Sequence, residues 1–219
     1  DSKFTGWTNI PLTLKGKEEA IKMAKTMKDN HLIPNIIFSS VLNRAIDTAN
    51  IIKKEFKTNL SMEMETHTSW RLNEKHYGHL EGVPRQYIRD TYGEKFTNMM
   101  RGNFNMKPPM LKDEDFYKIK KNNYKVYQNC YFEKIKNGES KENVLDRLLP
   151  YYENDICYTF QENKFPLIVT HKHCARVLMK HLLNINEEEF ENYELPSKKI
   201  LYVELYDNLK YKYHQFFSY

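Results

Sequence analysis

Pro166-Leu167-Ile168-Val169-Thr170-His171 decides how this chain folds. It is short, apolar and bounded by proline, which reads as a strand, and His171 stands just past its last residue. Helical spacing follows from Ala175 to Leu183, with Val177, Leu178 and Leu182 turned inward. The same unit occurs earlier. Asn35-Ile36-Ile37-Phe38-Ser39 is a short strand apolar on both faces, as parallel strands under helices are. From Ser40 to about Phe56, Leu42, Ala45, Ile46, Ala49 and Ile52 form one buried stripe. Upstream, Thr13 can cap a helix that turns Ala20, Met23, Ala24 and Met27 to one side and ends before Pro34. Alternating strands and helices predict a single α/β domain over 1–219 with a largely parallel sheet.

The remaining stretches are less regular. Gly82 to Tyr92 predicts a short helix broken at Gly93. Residues 94–139 are dense in charge and interrupted by Gly102, Pro108 and Pro109, the pattern of a lid or subdomain. Ser140 can cap a helix reaching about Phe160, with Val144, Leu148 and Tyr151 or Tyr152 inward. Ile200 to Tyr206 alternates as a strand, and Asn208 supports a turn into Lys210 to Gln215.

With 219 residues, 40% apolar and 29% charged, the chain has the composition of a soluble globular protein, and a cytoplasmic location is expected. The formal charge of +5 is scattered, which would draw anionic ligands inward. No compact basic block or nucleic-acid signature is present, and no apolar run approaches the roughly 20 residues of a membrane span. Neither nucleic acid nor membrane is therefore an expected partner; self-association is left open. Cys130, Cys157 and Cys174 are odd in number and lack metal-ligand spacing, so they read as reduced, half-buried thiols. No metal is expected.

Ser69-Trp70-Arg71-Leu72-Asn73-Glu74-Lys75-His76-Tyr77-Gly78 carries the chemistry. Charged groups cost several kcal/mol to bury unpaired, so this run suits a polar pocket better than a core. Arg71 and Lys75 could neutralise phosphate or carboxylate oxygens. Glu74 could act as general acid or base where burial raises its pKa. Arg44 opens the helix after the first strand, at the sheet edge where open α/β folds bind ligands.

With Lys3-Phe4-Thr5-Gly6-Trp7-Thr8-Asn9, Ser39-Ser40-Val41-Leu42-Asn43-Arg44-Ala45 and Ile168-Val169-Thr170-His171, this run resembles the cofactor-dependent phosphoglycerate mutases of the histidine phosphatase superfamily. The resemblance spans Phe4 to about Phe216. It implies a three-layer α/β/α fold with a mostly parallel sheet, an irregular helical lid over 94–139, and interconversion of 3- and 2-phosphoglycerate through a phosphohistidine. The implied cofactor is 2,3-bisphosphoglycerate as priming donor, and the implied partner is a small phosphorylated substrate. By the same resemblance Arg44 and His171 would hold the transferring phosphoryl group. Glu74 would exchange a proton with the substrate hydroxyl. Thr5, Gly6, Lys75, Tyr77, Arg85, Arg101 and His173 would bind the rest of the substrate.

Several positions depart from the family pattern. The family's nucleophile is a histidine in an Arg-His-Gly run on a strand before the Phe-Thr-Gly-Trp segment. The expectation is that a longer parent protein supplies that strand upstream of Asp1. His171-Lys172-His173 stands where the family has His-Gly-Asn, Lys75 replaces an arginine, and Gly102 replaces the second of an arginine pair. A histidine-type phosphatase and a non-catalytic phospholigand binder are therefore the alternative readings.

Overall fold

The structure is a computed structural model that describes residues 3–60, 63–109, 112, 114 and 138–219. Thr13 caps α1 (Leu14–Asp29), its hydroxyl accepting from the Gly16 amide at 3.0 Å. Then come β1 (Ile36–Ser39), α2 (Asn43–Leu60), β2 (Glu65–Thr68), two single 3₁₀ turns (Trp70–Leu72 and Gly78–Leu80) and α3 (Arg85–Gly102). The second half holds α4 (Lys141–Tyr151), a π-helical turn (Tyr152–Ile156), α5 (Tyr158–Gln161) and β3 (Pro166–Val169). It closes with α6 (Lys172–Leu182), α7 (Glu187–Asn192) and the strands β4 (Lys199–Leu205) and β5 (Tyr211–Ser218).

β1 is central in a parallel three-stranded sheet of order β2-β1-β3, with Ile36 opposite both Glu65 and Pro166. Side chains alternate across a strand, so β1 feeds two cores. Ile36 and Phe38 pack with Val144, Leu148 and Val177 of α4 and α6. Ile37 packs on the other face with Ala24, Met27, Ala49, Ile52 and Phe56 of α1 and α2. Helices on both sheet faces make the expected α/β layers. Because the three strands are parallel, their C-terminal ends lie on one edge, where Ser40, Ser69 and Thr170 leave the sheet.

β4 and β5 pair antiparallel as a separate sheet, with a register shift between Glu204 and Leu205. Between β3 and β4 lies an apolar cleft of about 1110 Å³. Met23 and Met27 of α1 wall one side of it, and Leu178 and Leu182 of α6 the other. Its far end reaches Arg44, His171 and Lys172.

The helix expected to break at Gly93 does so: Gly93 takes φ 85, outside the helical range and open to glycine, and a second helical stretch runs on to Gly102. Three other expectations change. Residues 94–102 of the expected lid are thus ordered helix, while 110–111, 113 and 115–137 lie outside the described residues. Ser140 does start a helix, with Asn143 completing a reciprocal cap, but the regular part ends at Tyr151 and widens into the π-helical turn after Pro150. Cys157 and Cys174 are free and fully buried rather than half-buried; Cys130 lies outside the described residues. Among the described residues no helix is long and apolar enough to cross a membrane.

Candidate active site

The loop after β2 is positioned by backbone bonds from both flanks. The Ser69 amide donates to Ser39 O at 2.9 Å, which fastens the loop to the end of β1. Ser69 then caps the first 3₁₀ turn through the Arg71 amide at 3.2 Å. From β3, Thr170 Oγ1 donates to Leu72 O at 2.7 Å. From α4, the buried Arg147 guanidinium donates to Arg71 O at 2.6 Å, Asn73 O at 2.9 Å and Glu74 O at 3.0 Å. Its charge is balanced by Glu139, 2.7 Å from Nε and 3.1 Å from Nη2. One side chain thus holds the backbone from which Glu74 projects.

The Glu74 carboxylate accepts from the Lys75 amide at 2.8 Å, and Trp7 Nε1 donates to Glu74 O at 2.6 Å. Burial pushes the Glu74 carboxyl above the usual range, against the opposing pull of the Lys75 and His173 amides and of Arg44 and Arg147. Glu74 therefore holds a proton more readily than an exposed glutamate, as a group that must donate one needs to.

The first loop closes over this one through Glu81. Its carboxylate accepts from the Trp7 amide at 2.8 Å and the Tyr77 amide at 3.1 Å. Gly6 passes so close that a β-carbon there would stand 2.0 Å from Glu81 Oε1, and its φ is +42; both demand glycine. Arg44 anchors the same loop, donating to Gly6 O at 2.8 Å and Thr8 O at 3.0 Å. His171 precedes α6, with Nε2 2.7 Å from Ser40 Oγ, which sets the plane of the ring. Burial, then the charges of Arg44 and Arg147, push its pKa well down, so the imidazole is neutral near pH 7.

These elements enclose a pocket of about 180 Å³ at the C-terminal edge of the sheet. Arg44, Glu74 and His171 line it together, with Thr5, Gly6, Tyr77, Arg85, Arg101 and His173. Two anticipated cations do not join them. Lys75 is fully buried and turns away, its ammonium donating to Met100 O at 3.2 Å and Met106 O at 3.3 Å. Arg71 lies over the Trp70 ring, 5.2 Å from its centroid. Residue type alone does not say which way such a side chain points.

Burial brings the Lys75 ammonium down to about 8, far below the roughly 10.4 of an unfolded lysine. Between those values the unfolded chain binds the extra proton, so stability should rise with pH from about 8 to about 10.4. Urea unfolding at several pH values should show that rise flattened in Lys75→Met. An identical slope in both proteins would mean Lys75 keeps its ordinary proton affinity when folded.

Sequence reasoning passed over Ser40, Glu81, Glu139 and Arg147. For Arg147 a signal existed: it falls three residues after the inward Val144, on the buried face of its own helix. Lys172 and Glu194 also line the pocket and were not anticipated there. Among the described residues no group of three or more metal-ligating side chains is placed to hold an ion.

The family model described as histidine phosphatase superfamily (branch 1) matches residues 1–129 and 110–213. A 2,3-bisphosphoglycerate-dependent phosphoglycerate mutase of Haemophilus influenzae (strain PittGG) is 33% identical over 213 residues, covering 97% of this chain and 92% of the relative. A protein of the same name from Neisseria meningitidis (serogroup A, strain Z2491) is 33% identical over 207 residues, covering 94% and 89%. Among solved structures, a mycobacterial glucosyl-3-phosphoglycerate phosphatase superposes with a TM-score of 0.70 at 16% identity, covering 98% of this chain and 89% of that one. The α-ribazole phosphatase of Shigella flexneri gives 0.68 at 16% identity, covering 97% and 87%. These two likenesses speak for the fold alone.

Proposed function

The chain belongs to the histidine phosphatase superfamily, and on that premise we propose that it is a phosphoglycerate mutase, interconverting 3- and 2-phosphoglycerate through a phosphohistidine. The observation that carries the reading is the pairing of a proton-holding Glu74 with Arg44 and His171 in one small pocket, with two further arginines beyond them. Arg44 and neutral His171 would bind the transferring phosphoryl oxygens. Glu74 would give a proton to the substrate oxygen as the phosphoryl group leaves, and take it back in the reverse step. Arg85, Arg101 and Tyr77 would bind the far phosphate or carboxylate.

The donor set fits a doubly anionic phosphate ester, since three arginines and a tyrosine hydroxyl line a pocket with space for a small molecule. When bound there, 2,3-bisphosphoglycerate would supply the priming phosphoryl group. The nucleophilic histidine would come from a strand seated in the cleft between β3 and β4. Supporting this, the cleft is apolar, lies between helices on both faces and runs to Arg44 and His171. A strand there would pair with both edges and deliver its last side chain to the phosphoryl site.

Incubation of the full-length protein with radiolabelled 2,3-bisphosphoglycerate tests this. The expected product is a phosphoprotein that is stable to alkali and labile to acid; a folded protein that takes up no label would remove the phosphohistidine from the account.

A second reading, hydrolysis of the phosphoenzyme, is favoured by Gly102, where the family carries an arginine. A mutase must hold its intermediate while it turns, and one charge-assisted hydrogen bond is worth about 1.5–3 kcal/mol. That corresponds to roughly tenfold to a hundredfold in retention. The position has room for a side chain, since among the described residues a β-carbon would meet only Glu191 O, at 3.9 Å. Gly102→Arg should therefore raise the ratio of 2-phosphoglycerate formed to free phosphate released. An unchanged ratio would mean that this position does not limit retention.

A further inference from the structure

The pocket rim carries an ion pair that the proposed chemistry leaves unused. Lys172, the first residue of α6, donates to Glu194 Oε2, and both side chains line the pocket. The other Glu194 oxygen lies 3.6 Å from Nη1 of Arg176. Arg176 is fully buried, donating to Tyr193 O at 2.8 Å, Phe190 O at 2.9 Å and Arg101 O at 3.4 Å. One guanidinium therefore ties the segment bearing Glu194 both to α6 and to the end of α3. Two cations thus place the Glu194 carboxylate on the pocket wall. Partial burial works against its charge, but hydrogen bonding from Lys172 and the nearby Arg176 keep it ionised.

Beside Glu74, which burial inclines to hold its proton, Glu194 is a second carboxylate on a wall that also gathers Arg44, Arg85 and Arg101, and it is the one kept ionised. It occupies Lys172, which would otherwise meet a second anion. In a space of about 180 Å³ it also stands close to whatever the far end of the substrate carries. A hydroxyl can donate to a carboxylate, whereas a second carboxylate is repelled by it.

We infer that Glu194 and Lys172 decide which far end a phosphorylated substrate carries, Glu194 favouring a hydroxyl and opposing an anion, and Lys172 working the other way. This rests on the pocket being a phosphate-ester site and narrows its substrate class. Both side chains are about half exposed, so solvent screens the effect. A shift of about three- to fivefold per charge is the expected scale.

3-Phosphoglycerate and glycerol 3-phosphate form a nearly isosteric pair, one ending in a carboxylate where the other ends in a hydroxymethyl group. Their dissociation constants, with that of inorganic phosphate as reference, can be measured by calorimetry in the full-length protein. A Glu74→Gln background suppresses turnover without touching either rim residue. Glu194→Gln should move the preference toward 3-phosphoglycerate by about three- to fivefold, and Lys172→Met should move it the opposite way by a similar factor. Inorganic phosphate should change by less than about twofold, since it lacks a far end. A preference unchanged in Glu194→Gln, or all three ligands shifting together, overturns the inference alone. Binding of inorganic phosphate with neither ester bound overturns it together with the substrate class on which it rests.

Discussion

Glu74→Gln is expected to lower turnover of the full-length protein by about 10²–10⁴-fold, the usual contribution of a positioned acid or base. The amide keeps the shape of the side chain and can still accept from the Lys75 amide, which lies 2.8 Å from Oε1. It cannot give up and regain a proton. Affinity for inorganic phosphate should stay close to normal, because on the proposed reading Arg44 and His171 would bind it while Glu74 exchanges the proton. Burial raises the Glu74 pKa, so the acid form persists above the ordinary glutamate range and is lost as pH climbs through the raised value. The pH–rate profile should therefore fall on that limb in the unmutated protein and lose the limb in Glu74→Gln. A variant rate within threefold of the unmutated protein would show that another group moves the proton.

Arg147→Met should be the most destabilising single change near the site. Methionine fills most of the space but removes the guanidinium's bonds to the 70–74 backbone and takes from buried Glu139 the cation that donates to it. Removing one partner of a buried ion pair typically costs about 3–5 kcal/mol. Denaturant unfolding should show that loss, with activity reduced even where the variant is folded, since the Glu74 loop loses its anchor. A loss below about 1 kcal/mol would mean that the loop holds its shape without the guanidinium. Replacing Glu139 as well, by glutamine, should recover part of the stability, because the uncompensated charge is then gone.

The sheet could be read from the chain because β1 and β3 are apolar on both faces and each precedes a helix with a clear stripe. β2 could not: Glu65-Thr66-His67-Thr68 is polar, and it stands at the edge of the sheet, where no alternation is demanded. The pocket was legible where motif and topology agreed, as for Arg44 and His171 at the ends of strands. It was not legible where only side-chain direction decides. Lys75 lies in the most informative run of the sequence, yet its ammonium is taken up by two backbone carbonyls. In sequence Arg147 is one more charge on a helix, and its backbone partners come from a loop more than seventy residues away. Glu194 had no motif around it; only the fold brings α7 and the segment after it to the rim beside Lys172.

Mutase and phosphatase activity are separated by following 3-phosphoglycerate in the full-length protein, with 2-phosphoglycerate and free phosphate recorded together. We expect 2-phosphoglycerate to form, its formation to depend on 2,3-bisphosphoglycerate, and measurable phosphate to accompany it. Release of phosphate with no 2-phosphoglycerate formed would contradict the mutase reading and leave a phosphatase built on the same pocket.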